Sequence, residues 1–358
     1  MTKTLHNDFY STQSQGHYHL HALGEFALEE GEVIPNLQLA YATYGMLNES
    51  RDNVILIPTW FSGSHQTWEL AYIAPGRALD PEKYFIVAVS QIGNGLSSSP
   101  HNVGGDIAMS RFPRITIGDD VRAQEALLRD VFEIDTLALV VGGSMGAQQT
   151  YEWAVRFPDK VKRAAPIAGT AQVTPHNVLL TRVLMDAITS DPGYADGDYA
   201  SHEDVAQGLR RHADLWAVIG FSTEFWKSEF WRTIEIDGVK HTNMQDFHRA
   251  CNQVPYELMD PNSLLSMAWK WQHADVARHT DGDLAAALAR ITARTFVLPI
   301  DEDMFFPPRD CIAEQRLIPN SEVRLLHSVA GHSGLGAFEQ SFRDEVDSAL
   351  NELLALDV

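Results

Sequence analysis

Three short apolar runs limit what this chain can fold into: residues 54–57 (VILI), 84–89 (YFIVAV) and 137–141 (LALVV). None alternates with polar residues, so each reads as a strand buried on both faces of a sheet. Between the last two lies 120–131 (DVRAQEALLRDV), where Val121, Leu128, Val131 and the following Phe132 share one face at helical spacing. Strand, helix, strand is a crossover unit, and its repetition predicts an α/β protein with a mostly parallel sheet. Residues 37–44 (LQLAYATY) alternate like a half-exposed strand. Residues 164–167, 295–298 and 323–326 supply further strands, and 338–356 a closing helix.

The strand rhythm stops from about Gly169 to Ala293. Helical patterns replace it (NVLLTRVLMDAI, HEDVAQGLRRHADLWAVIGF, SLLSMAWKWQHADVA), and five of the eight tryptophans fall there. The expected organisation is a core domain of residues 1–168 and 294–358 with a helical cap, residues 169–293, inserted between two strands. Clefts commonly form between a scaffold and such an insertion.

Composition narrows the function classes. The formal charge of −21 repels phosphate backbones, so nucleic acid is not an expected partner. No apolar run approaches the roughly 18–20 residues of a membrane span. The N-terminal stretch is polar and lacks the apolar core of a secretory signal, which makes the cytoplasm the expected compartment. Cys251 and Cys311 form no CxxC pair or metal-like cluster, so neither metal nor cofactor is expected.

The chemistry is concentrated where the strand LALVV runs into Gly142-Gly143-Ser144-Met145-Gly146, followed by the helical pattern AQQTYEWAVRF and Pro158. G-x-S-x-G between a strand and a helix is the nucleophile elbow of the α/β-hydrolase fold. The turn is tight enough to strain the serine, and Gly142 and Gly146 leave it room. A serine needs a base, and in this fold the order is Ser, acid, His. Residues 295–300 (TFVLPI) lead to Asp301-Glu302-Asp303, and 323–326 lead to Gly331-His332-Ser333-Gly334. His332 is the expected base, with flanking glycines that allow it to approach Ser144. Asp301 and Asp303 both sit in the acid loop. His65 and His327 read as structural or surface residues. For the oxyanion, one backbone N–H is expected from Met145 and a second from the loop 58–63 (PTWFSG), at Phe61 or its neighbour Trp60.

Several segments resemble the homoserine O-acetyltransferase-like family: 68–85 (WELAYIAPGRALDPEKYF), 112–159 with its GGSMG and EWA helix, 187–199 (AITSDPGYADGDY), 303–307 (DMFFP) and Gly331-His332. The resemblance implies an α/β-hydrolase fold with a mostly parallel central sheet and an inserted helical cap, a Ser144–Asp303–His332 triad, and a homodimer joined through the cap. It is what favours Asp303 over Asp301. Two departures concern substrate. Ser333 stands where the family's transferases carry an Asp, and Gly220-Phe221-Ser222 where they carry Tyr-Arg-Ser. Loss of two charged contacts weakens a zwitterionic acceptor, each charge-assisted hydrogen bond contributing about 1.5–3 kcal/mol. Residues 93–100 (GNGLSSSP) differ as well. The chain therefore looks closest to the family's acetyl-esterase branch, with Trp60, Phe221 and Ser333 lining the pocket. Its rival is a homoserine (or serine) O-acetyltransferase using acetyl-CoA. A non-catalytic binding protein on this fold would usually lack a triad member, and here all three are present.

Overall fold

The computed structural model describes residues 4–358. Eight strands form one sheet in the order β1-β2-β4-β3-β5-β6-β9-β10. They are β1 (His19–Ala27), β2 (Val33–Tyr44), β3 (Val54–Pro58), β4 (Phe85–Val89), β5 (Leu139–Gly143), β6 (Arg163–Ile167), β9 (Arg294–Val297) and β10 (Ser321–Val323). A separate hairpin pairs β7 (Glu235–Ile236) with β8 (Val239–Lys240). β1 pairs antiparallel with β2, and β2 antiparallel with β4. All later pairings in the large sheet are parallel.

Successive side chains of a strand face opposite ways, and the core divides accordingly. Leu56, Val87 and Val140 belong to the layer under the helices Ile117–Phe132 and Met145–Arg156. Ile55, Ile86 and Val141 belong to the other, with Trp68 and with Phe342, Val346 and Leu350 of the helix Gln340–Ala355. The central strands are thus apolar throughout because both faces are covered.

One expectation needs correction, that Val131 is buried, and the structure adds an edge strand and narrower helix bounds. The edge strand β1 is unforeseen: its residues are mostly exposed or half-buried, so it carries little apolar alternation. Val131 is exposed, and the buried face of its helix runs through Val121, Gln124, Leu127 and Leu128. The stretch 202–221 is one short 3-10 turn followed by the helix Ala206–Gly220, and the third cap helix ends at Gln272.

Between β6 and β9 the main helices are Pro175–Thr189, Ala206–Gly220 and Pro261–Gln272. The β7–β8 hairpin interrupts this helical region because Asp237 and Gly238, both at positive φ, make the two-residue turn that such hairpins favour. Leu184, Leu209, Met267 and Trp271 of this region share one apolar cluster with Leu56 and Val140 of the sheet. The helical region between β6 and β9 is packed onto the sheet through these residues. Among the described residues no helix is long and apolar enough to cross a membrane.

Candidate active site

Ser144 occupies the turn between β5 and the helix Met145–Arg156, at φ 55° and ψ −121°. A side chain rarely adopts this region, and the neighbouring backbone shows why the turn holds. A Cβ on Gly142 would lie 2.3 Å from the Gly146 carbonyl oxygen, and one on Gly146 would lie 2.4 Å from that of Pro58. Only glycine lets the helix start this close to β3 and β5. The Ser144 amide donates to the Ile167 carbonyl at 2.9 Å, tying the turn to β6.

His332 lies in the 3-10 turn Gly331–Gly336 beyond β10. Its Nε2 is 3.0 Å from Ser144 Oγ, and its Nδ1 is 2.7 Å from Asp303 Oδ2. An ionised carboxylate only accepts, so Nδ1 carries the proton and the Nε2 lone pair faces the serine. The other Asp303 oxygen accepts from the amides of Phe305 and Phe306 at 2.7 and 3.0 Å. Asp303 is therefore pinned from both sides, and Ser144, Asp303 and His332 are all buried. The rings of Phe305 and Phe306 stand 4.7 and 5.7 Å from the imidazole. The helix Pro175–Thr189 helps to hold this loop, since Asn177 Nδ2 donates to the Phe305 carbonyl at 2.7 Å.

Asp301 is exposed and turned away. Its Oδ1 accepts from the amides of Glu302 and Ser328. Two residues of one loop thus separate into a buried partner for His332 and a surface turn. The glycine beside His332 serves a different purpose from the one expected. A Cβ on Gly331, at φ +60°, would meet the Glu302 carbonyl at 2.9 Å and the Ser222 amide at 3.1 Å. It lets the histidine turn pack against the acid loop and the segment Gly220–Ser222. His327 is exposed beside Glu345, and His65 is fully buried outside the Ser144–His332–Asp303 chain.

Met145 is the first residue of its helix, so its N–H has no partner four residues back. The helix end also favours negative charge there. Trp60 and Phe61 of the loop after β3 line one cavity of about 320 Å³ together with Ser144, Phe221, His332 and Ser333. Phe221 is held by Phe225, with ring centroids 4.2 Å apart. Ser333 Oγ lies against Gly220, 3.0 Å from where a Cβ would stand.

The cavity also takes wall residues that sequence reasoning missed, among them Trp216, Tyr256 and Phe338. The density of aromatics in residues 169–293 hinted at Trp216 and Tyr256, and nothing in the sequence singled out Phe338. Trp216 lies 5.1 Å from Phe61 and 5.0 Å from Phe305 between ring centroids. Its indole N–H donates to His212 Nε2 at 2.9 Å, and His212 Nδ1 is 2.9 Å from the Leu184 carbonyl. An indole N–H only donates, so the tautomer is fixed and the imidazole is neutral. Burial pushes its pKa down to about 4. No Asp, Glu, Lys or Arg lines this cavity among the described residues, and no group of three His, Cys, Asp or Glu side chains is placed to hold a metal.

The family model for the α/β-hydrolase fold matches residues 52–335. The chain belongs to the α/β-hydrolase family. This α/β-hydrolase is 57% identical over 350 residues to a protein of Corynebacterium glutamicum described as a probable esterase, covering 98% of this chain and 99% of that one. It is 51% identical over 349 residues to an ethyl acetate hydrolase of Pseudomonas veronii, covering 98% and 99%. Its fold superposes with a TM-score of 0.96 on the crystal structure of an acetylester hydrolase from Corynebacterium glutamicum, at 56% identity over 98% of this chain and 100% of the other. A homoserine O-acetyltransferase of Leifsonia xyli is a more distant relative, 34% identical over 80% of this chain and 76% of its own.

Proposed function

We propose that this α/β-hydrolase is a serine esterase that hydrolyses short-chain, acetyl-type carboxylic esters through a covalent acyl-enzyme. His332 Nε2 takes the proton of Ser144 as Oγ attacks the ester carbonyl. The tetrahedral oxyanion is held by the backbone amides of Met145 and of Phe61 or Trp60, with the helix N-terminus behind it. Asp303 stabilises the imidazolium. His332 returns the proton to the departing alkoxide, leaving acyl-Ser144 and free alcohol. Water, deprotonated by His332, then attacks the acyl carbon, and Ser144 recovers its proton as the acid leaves.

The observation that carries the choice of acceptor is that no Asp, Glu, Lys or Arg lines the cavity among the described residues. A zwitterionic amino acid would be desolvated there with no ion partner, whereas a neutral ester would lose little. Relatives named esterase, ethyl acetate hydrolase and acetylester hydrolase support the same reading. The shared fold with homoserine O-acetyltransferases means that the acceptor must be tested directly. Purified protein given ethyl acetate should release acetate, and Ser144→Ala should not. Given acetyl-CoA and L-homoserine, it should release no homoserine-dependent CoA. Robust CoA release would reverse the assignment.

The compartment we propose is the cytoplasm, supported by Cys251 and Cys311 both being free thiols. A homodimer through the cap is supported by Val218 and Met244, exposed apolar residues that line a groove beside Trp226.

A further inference from the structure

The Thr59 carbonyl, immediately before Trp60 and Phe61, is the meeting point of two buried chains of hydrogen bonds. It accepts from Gln91 Nε2 at 2.8 Å and from Gln149 Nε2 at 3.0 Å. Gln149 Nε2 also reaches the Met145 carbonyl at 3.4 Å, so one side-chain amide touches both backbone segments from which oxyanion donors are expected. Gln91, Gln124, Gln149, Asp120 and Lys270 are all fully buried.

Each chain begins at a group that only donates. On one side the Trp153 indole N–H donates to Gln124 Oε1 at 2.7 Å, and Gln124 Nε2 donates to Gln149 Oε1 at 2.6 Å. On the other, Lys270 Nζ donates to Gln91 Oε1 at 3.3 Å and to the Ile92 carbonyl at 2.8 Å, and it is ion-paired with Asp120. Asp120 Oδ1 in turn accepts from the Ile92 amide at 2.7 Å. Indole and ammonium have no acceptor to offer. The facing amide oxygens must therefore turn toward them, and both NH2 ends must turn toward Thr59. Flipping any glutamine would set donor against donor in a dry interior.

We propose that these chains fix the oxyanion-donating loop, with Gln91 and Gln149 as positioning residues and Lys270 as the tie from the cap helix Pro261–Gln272. The inference rests on the serine-hydrolase reading above. The Thr59 carbonyl shares a peptide plane with the Trp60 amide and directly precedes the plane of the Phe61 amide, so its rotation would re-aim both candidate oxyanion donors.

The test compares wild type with Gln91→Met and Gln149→Met, using ethyl acetate as substrate and 1,1,1-trifluoroacetone as a ketone that adds to the serine and places an oxyanion in the same hole. Each variant is expected to lower kcat about 10- to 100-fold, the scale of a misplaced catalytic group, with KM little changed. Inhibition by trifluoroacetone should weaken by a similar factor. A purely structural role would lower the melting temperature while leaving kcat per folded molecule and ketone affinity unchanged, and that result overturns the proposal. Should either variant fail to fold, Gln124→Met frees Gln149 to turn and should show a smaller loss in both readouts. No loss there counts against the proposal equally. Wild-type protein inert to both ethyl acetate and the ketone would sink the hydrolase reading, and this inference with it.

Discussion

His332 Nε2 lies 3.0 Å from Ser144 Oγ although 188 residues separate the two in the chain. The carboxylate behind His332 discriminates between two candidates in one loop. Asp303→Asn should reduce kcat on ethyl acetate by about 10³–10⁴-fold, because an amide in that place favours the wrong imidazole tautomer. Asp301→Asn should leave kcat within about twofold and cost about 1 kcal/mol of stability through its bonds to backbone amides. Steady-state kinetics on the two purified variants decides, and equal losses would remove the structural distinction.

Trp216 should limit the length of the acyl or alkoxy chain. It stands in the cavity wall against Phe61 and Phe305. Trp216→Ala is expected to raise kcat/KM for ethyl butyrate relative to ethyl acetate by about tenfold or more, the scale of one to two methylenes in an apolar pocket. A ratio unchanged from wild type would mean that the chain points elsewhere.

His212 should make the protein acid-sensitive. Its pKa is lowered to about 4 by burial, below the ordinary value near 6.5. Between those values the unfolded chain holds a proton that the folded protein does not. Stability is therefore fully present above pH 6.5 and lost as pH falls toward 4. From pH 7 to pH 5 this one residue should remove about 2 kcal/mol of unfolding free energy. Urea titrations at both pH values on wild type and His212→Phe would show it, the variant losing correspondingly less.

Lys270 and Asp120 are both fully buried and ion-paired. Burial pushes the Asp120 carboxyl up to about 6 and the Lys270 ammonium down, while each charge favours ionisation of the other. Lys270→Met strands a buried carboxylate and should destabilise by about 3–5 kcal/mol. Adding Asp120→Leu should restore part of that, because it removes the stranded carboxylate but leaves the Ile92 amide and carbonyl and Gln91 Oε1 without these partners. Urea unfolding of the single and double variants measures this, and a double variant as unstable as the single one would refute it.

The elbow was legible because its constraint is local. A strand, two glycines beside a serine and a helix adjacent in sequence allow one geometry, and the apolar runs VILI, YFIVAV and LALVV announce a sheet covered on both faces. Residue type and order also brought His332 and the acid loop into view. Three things required the fold. The resemblance favours Asp303 over Asp301, but the physical reason, which side chain the loop turns inward, is visible only in the fold. The walls supplied by Trp216, Tyr256 and Phe338 come from segments far apart in the chain. Lys270 reads in sequence as a polar residue between Trp269 and Trp271, and only packing places its ammonium beside Asp120 and Gln91. Sequence fixes what a short segment must do by itself. Contacts across 150 residues or more, like that between Lys270 and Asp120, exist only once burial has brought distant segments together and required each buried polar group to find a partner.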